Sequence, residues 1–258
     1  MNSQSHFSNI AENYKELRTT DSEPMQKIED KLHNLSRIAM VDVGCGDGRY
    51  SMEVCRRLGQ KVSLHCVDAN QEMLNNLNSF FSTRNVTNFQ THQATAEELP
   101  FADDSINCVL TMNAIHHFKF SEFLNEVSRI LTDNGFLFIY TRYRSQNRKN
   151  IWGRYFPLFS EKETRLFELN ELEAEIEKNQ SLVLQSSEVF GYDRSAEIDS
   201  LIHQAENHHY STFYLYEKGE FEHSVTGFRE ALTSNFGDNG KVEWTDENTL
   251  LTIKREPR

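Results

Sequence analysis

The run Val41-Asp42-Val43-Gly44-Cys45-Gly46-Asp47-Gly48 places three glycines and two carboxylates where an apolar stretch gives way to a helical one. Gly44 and Gly46 let a backbone turn sharply and approach a ligand with no Cβ in the way. The amides of the helical turn that follows then face that ligand. Asp68 ends the next apolar run, residues 62–67, where an acidic side chain reaches ribose hydroxyls from a second strand. A carboxylate accepts from both hydroxyls of a vicinal diol. The competing reading of Asp68 is a helix cap or a solvated turn acid, and the glycine turn upstream weighs against it. His116 and His117 follow the fourth strand-like run, in NAIHHF. One is read as facing a reacting group and the other as packing or capping a turn; His117 is wall, structural residue or base. Adjacent histidines need a third ligand to hold a metal, and none is spaced to supply it, so no metal is expected.

Two further groups bear on an acceptor. Tyr14 and Arg18 lie one turn apart on one helical face, and are read either as closing over a site or as a core tyrosine and a solvent arginine. Arg142, with Trp152, Arg154 and Tyr155, belongs to a basic, aromatic stretch after residue 141. It is read as an acceptor pocket with a charge-recognising member, as packing between a cap and a sheet, or as a macromolecular contact. The later His208-His209 pair reads as surface or cap material.

The elements that must hold these residues alternate. IAMVDVG, KVSLHCVDA, VTNFQTH, INCVLTM and GFLFIYT are short strand-like runs. Helical stretches separate them, including segments near 97–100 and 121–132, with LTDNG as a helix stop and turn. Such alternation implies parallel pairing through right-handed crossovers. The expected fold is α/β, a Rossmann-like three-layer sandwich with a mostly parallel seven-stranded sheet and helices on both faces. Residues 1–36 supply two cap helices, 37–141 a ligand-binding core, and 142–180 with 195–236 a partial helical cap. LVLQSSEVFGY and NTLLTIKRE return as strands, so 1–258 is read as one domain.

Composition narrows the function. The 258 residues carry 27 Lys and Arg against 39 Asp and Glu, a formal charge of −12. Binding driven by phosphate neutralisation needs the opposite sign, so nucleic acid is not the expected partner. No apolar run is long enough to span a bilayer, and no charged-then-apolar leader is read. The four cysteines form no CxxC pair. Reduced thiols in a cytoplasmic protein are expected, as a monomer or a homodimer.

VDVGCGDGRY resembles the first motif of the class I S-adenosylmethionine-dependent methyltransferases, especially the small-molecule group related to the ubiquinone/menaquinone-biosynthesis enzymes. LHCVDAN is similar to the acidic end of their second strand, ATAEELPFADDSINCVLTMNAIHHF to the segment beside adenine, and RILTDNGFLFIY to the entry into the fifth strand. The resemblance covers residues 37–141 in order, with FSNIAENYKELR similar to the leading helix. It implies S-adenosyl-L-methionine as cofactor and a small-molecule methyl acceptor. By position it implies Asp42 at the methionine amino end and Gly44, Cys45 and Gly46 under methionine and ribose. Asp68 would take the ribose, Ala69 with Thr95, Ala96 and Glu97 would frame adenine, and Asn113 would lie near the transfer centre. Thr95 stands where many relatives have an aspartate that accepts from adenine, and Asn107 replaces another frequent aspartate.

A dehydrogenase turn is normally GxGxxG, whereas here the third glycine, Gly48, comes one residue early. Methyl transfer from a sulfonium needs in-line positioning and exclusion of water more than a protein nucleophile. The competing functions are an RNA or protein methyltransferase and a non-catalytic cofactor-binding domain.

Overall fold

A computed structural model describes residues 20–237 and 240–257 of the chain. The leading helical pattern over residues 7–17, with Tyr14 and Arg18, lies outside the described residues. In chain order the elements are α1 (Glu23–Leu32), β1 (Ile38–Val43), α2 (Arg49–Leu58), β2 (Val62–Asp68), α3 (Gln71–Ser82), β3 (Phe89–Gln93), β4 (Ile106–Met112), α4 (Phe120–Ile130) and β5 (Leu131–Thr141). There follow α5 (Arg144–Lys149), α6 (Ile151–Tyr155), α7 (Phe159–Lys162), α8 (Leu169–Lys178), β6 (Leu182–Glu197), α9 (Ile198–Glu206), α10 (Lys218–Phe236) and β7 (Lys241–Arg255).

The seven strands form one sheet in the order β3-β2-β1-β4-β5-β7-β6. Pairing is parallel from β3 through β5, and β7 runs antiparallel to both its neighbours. Central strands covered on both faces must be apolar almost throughout, and β1 and β4 are buried at nearly every position. Val41, Val67, Val109 and Ile139 face α4 and α8, whereas Met40, Leu64, Leu110 and Phe138 face α1, α2 and α3. Strand order reverses between β1 and β4, which opens a crevice at their carboxyl ends.

Three local readings are corrected. Residues 97–100 form a turn rather than a helix. Its backbone is claimed by side chains of α4: Glu126 accepts from the Leu99 amide at 2.8 Å, and Arg129 donates to the Leu99 and Phe101 carbonyls at 3.0 and 2.7 Å. LTDNG is already strand, containing a bulge where the β4–β5 register shifts and Asn134 takes φ 63°. The last two strands are longer than their apolar cores. β7 pairs with β5 only as far as Thr141↔Thr249, yet β6 and β7 continue together to Glu197↔Lys241.

That ribbon overhangs the carboxyl edge of the sheet and joins the cap. Val242 of the ribbon is buried with Trp152, Phe156, Phe159, Leu201, Phe213 and Phe228 in a core separate from the two sheet faces. Trp152 is 2% exposed, with the Phe228 ring 5.0 Å and the His209 ring 4.9 Å away. Among the described residues no helix is long and apolar enough to cross a membrane.

Candidate active site

The first turn of the site forms because β1 ends against its neighbour. The amides of Gly44 and Cys45 both donate to the Val67 carbonyl, at 2.8 and 3.1 Å, so the chain bends over the end of β2. Gly44 takes φ 71°, and a Cβ there would stand 2.6 Å from that of Ala114, within the turn after β4. Gly46 takes φ 55°, and a Cβ there would meet nothing within 4 Å. Its bare face borders a cavity of about 440 Å³ at the carboxyl ends of β1, β2 and β4. This size suits a small-molecule site, typically roughly 300–1,000 Å³.

Two carboxylates frame that cavity. Asp68 accepts from the Gly46 amide at 2.9 Å and the Asn70 amide at 2.8 Å, locking the acid to the glycine turn. Asn70 in turn caps α3, accepting from the Glu72 amide at 2.8 Å. Burial raises the Asp68 carboxyl above its ordinary value, against the opposing pull of the two amides. Asp42 is 1% exposed. The Ser51 hydroxyl donates to its Oδ2, while Oδ1 has no partner among the described residues. Burial pushes this carboxyl up to about 7; the Ser51 bond opposes the shift and the nearby Asp68 charge adds to it. Asp47 Oδ2, on the same cavity, is a second buried acceptor atom without a partner among the described residues. A ligand with a cationic amino end, a diol and a flat face therefore meets matching groups. The donor set fits S-adenosylmethionine.

All ten residues assigned to the cofactor line this one cavity: Asp42, Gly44, Cys45, Gly46, Asp68, Ala69, Thr95, Ala96, Glu97 and Asn113. Thr95 is exposed on its rim and Ala96 is buried. Glu97 also accepts from the Lys119 amide at 2.7 Å, tying the 95–101 turn to the start of α4. Asn113 takes φ 58° at the end of β4, with its amide held by the Tyr140 carbonyl at 2.7 Å. Asn107 lies away from the cavity and accepts from the Ala39 amide at 2.9 Å, stitching β4 to β1.

A second cavity, about 270 Å³, lies between the sheet edge and the cap. Arg49, Tyr50, Asn113 and His117 line both cavities, so they adjoin. His116 and His117 occupy the short turn Ile115–His117 after β4, their rings 4.1 Å apart, and His116 lines the second cavity. Arg142 and Trp152 line it too. Arg154 and Tyr155 do not: α6 turns Ile151 and Trp152 inward, so Arg154 is exposed and Tyr155 packs on Phe236 with ring centroids 5.7 Å apart. His209, read with His208 as surface or cap material, is 5% exposed, packs beside Trp152 of the cap and lines the cavity. Asp21, Glu163, Arg194, Asp246 and Asn248 are lining residues that sequence reasoning did not single out. Among the described residues no group of three His, Cys, Asp or Glu side chains is placed to hold a metal ion.

Residues 40–135 match the family described as a methyltransferase domain. YcgJ, an uncharacterized methyltransferase of Bacillus subtilis, is 27% identical over 149 residues, 57% of this chain and 58% of that protein. A fatty-acid O-methyltransferase of Mycolicibacterium smegmatis is 30% identical over 117 residues, 45% of this chain and 40% of that one. The chain thus spans about half the length of the curated relatives it matches. The crystal structure of YcgJ is similar with a TM-score of 0.63 at 19% identity, covering 92% of this chain and 100% of that one. An N-methyltransferase of Haemonchus contortus, solved with phosphomonomethylethanolamine and S-adenosylhomocysteine, gives 0.57 at 16% identity, covering 92% of this chain and 53% of that one. The fold is that of the class I methyltransferases.

Proposed function

We propose that this chain, whose residues 40–135 match a methyltransferase domain, transfers a methyl group from S-adenosylmethionine to a small-molecule acceptor seated in the 270 Å³ cavity. One observation carries the reading. The cavity that gathers the ten cofactor residues shares Asn113 and His117 with a cavity between the sheet edge and the cap.

When bound, the cofactor supplies a methyl group already activated by its positively charged sulfur. The chain's own work is binding and orientation. Asp68 would accept from the ribose hydroxyls, and the unpartnered Oδ1 of Asp42 would take the amino end. The 95–101 turn, held by Glu126 and Arg129, would frame the adenine. Asn113 and His117 stand at the junction of the cavities, where the cap would help to shield the transfer from water. His117 is the group placed to receive a proton from an acceptor that must lose one, with His116 beside it. The small volume of the acceptor side, about 270 Å³, favours a small molecule over RNA or protein. The fatty-acid O-methyltransferase among the relatives also acts on a small acceptor. Cys45, Cys55, Cys66 and Cys108 are free thiols, in keeping with a cytoplasmic enzyme.

Calorimetric titration with S-adenosylhomocysteine, followed by its release from S-adenosylmethionine across a panel of small acceptors, tests the reading. Binding and acceptor-dependent release support it. Absence of binding at millimolar concentration overturns it.

A further inference from the structure

Of the guanidinium groups lining the second cavity, that of Arg142 makes long polar contacts. Arg142 leaves the end of β5 with its side chain 11% exposed. Its Nε donates to Asn248 Oδ1 at 3.1 Å and its Nη1 to the Tyr210 hydroxyl at 3.4 Å, while Nη2 faces Asp246 Oδ1 at 3.4 Å. Charge-assisted N–H···O bonds close to about 2.7–2.9 Å. The same cavity achieves that elsewhere, since Arg194 Nη2 reaches Asp21 Oδ1 at 2.6 Å.

Two of the three acidic groups around it, Asp21 and Glu163, are committed. Asp21 is 6% exposed, and its other oxygen accepts from the Tyr140 hydroxyl at 2.7 Å and the Asn248 amide at 3.4 Å. Glu163, 4% exposed, accepts from Arg165 Nε at 2.9 Å and Nη2 at 2.5 Å and from the Thr212 hydroxyl at 2.6 Å. Asp246 is divided between Arg142 at 3.4 Å and Arg194 at 3.8 Å, and its buried Oδ1 has no hydrogen-bond partner among the described residues. The loosely engaged charges are thus Arg142 and the Asp246 carboxylate facing its Nη2, and of the two the partly desolvated guanidinium has two nitrogens left to gain from a well-placed anion.

We propose that the acceptor carries a carboxylate, which docks on Nη1 and Nη2 of Arg142 while its hydrocarbon part lies along Tyr210 and Trp152. Nη1 and Nη2 are the nitrogens with the longest contacts, and together they offer the planar two-point grip a carboxylate matches. A phosphate dianion fits less well, because a single guanidinium would have to balance it beside Asp246 and Asp21. The site is also well located for transfer. Tyr140, two residues before Arg142, holds the Asn113 amide at the junction of the cavities. This inference rests on the methyltransferase reading above and specifies its acceptor side.

The test uses the full chain saturated with S-adenosylhomocysteine, titrated calorimetrically with benzoate, 3-phenylpropanoate and hexanoate and with the amide of each. The first step, binding of S-adenosylhomocysteine, reports on the methyltransferase reading alone. In the second, at least one carboxylate is expected to bind about tenfold or more tightly than its amide, the difference between a charge-assisted and a neutral pair. Arg142→Gln is expected to abolish that preference and leave S-adenosylhomocysteine affinity within about twofold, while Arg142→Lys restores part of it. S-adenosylhomocysteine binding with no carboxylate preferred over its amide overturns the proposal. So does a preference that survives Arg142→Gln in protein whose cofactor affinity shows it to be folded.

Discussion

Asp42 gives the sharpest quantitative test of the cofactor site. Its carboxyl titrates at about 7 because burial opposes its charge, and only its ionised form can pair with a cationic amino group through the unpartnered Oδ1. A group titrating at about 7 is roughly 9% ionised at pH 6 and about 76% ionised at pH 7.5. If binding requires the anion, S-adenosylhomocysteine should bind roughly eightfold more tightly at pH 7.5 than at pH 6, releasing about 0.75 proton per ligand at pH 6.5. Asp68, also raised by burial, adds in the same direction. Stability of the free protein has the opposite slope. From about pH 4 to 7 the folded state keeps a proton that the unfolded carboxyl, at 3.8, has lost. Stability therefore declines as pH rises through that window and levels off above it, by at most about 4 kcal/mol. Asp42→Asn should flatten both slopes, weakening ligand binding while raising the ligand-free melting temperature at pH 8. Calorimetry in two buffers of different ionisation enthalpy reads the proton release, and thermal melts read the stability. Equal affinity at pH 6 and 7.5, or an Asp42→Asn variant with unchanged proton release, would refute the reasoning.

Asp68→Ala removes a charged acceptor from the ribose and frees the Gly46 and Asn70 amides to water. We expect S-adenosylhomocysteine affinity to fall about thirtyfold or more by calorimetry, with about 1 kcal/mol lost in a denaturant melt. Gly46→Val puts a side chain toward the cavity, its Cβ meeting no protein atom within 4 Å, at φ 55°. It should fold with a penalty of roughly 1–2 kcal/mol and bind no cofactor, and retained affinity would contradict the assigned geometry. Trp152→Ala empties the centre of the cap core and should cost about 3–5 kcal/mol of cap stability. Hydrogen exchange should then show the cap opening ahead of the sheet. His117→Ala should remove the lower limb of the pH–rate profile once an acceptor is known. Survival of that limb assigns the titrating group elsewhere.

The cofactor side was legible because its residues are local. Asp42, Gly44 and Gly46 lie within one turn, and Asp68 ends the adjacent strand, so strand order alone brings them together. Thr95, Ala96 and Asn113 likewise follow the ends of β3 and β4. The 97–100 turn misled because its spacing is helical while its hydrogen bonds go to Glu126 and Arg129, nearly thirty residues away. No local pattern announces such a partner. In the stretch after residue 141, Arg142 and Trp152 line the second cavity while Arg154 and Tyr155 do not, and composition could not assign inward and outward positions. A five-residue helix offers too little periodicity to separate Trp152 from Arg154.

The acceptor side was hidden for a different reason, which lies in the ribbon. Arg142, Arg194, Asp246 and Asn248 come from three strand ends, and they meet only because β6 and β7 keep pairing beyond the sheet. Phe190, Tyr192, Arg194 and Ala196 alternate on the half-buried face of β6, opposite Asn248, Asp246, Trp244 and Val242. This period of two was present in the sequence, but ending the strand at Tyr192 stopped the count one step before Arg194. Apolar runs mark where a strand is covered by helices. A two-stranded overhang facing a polar cavity needs no such run, so its length is set by its partner rather than by hydrophobicity. A register drawn between residues 190–197 and 241–248 therefore predicts the charged lining directly, whereas residue composition points only to the cap that the ribbon carries.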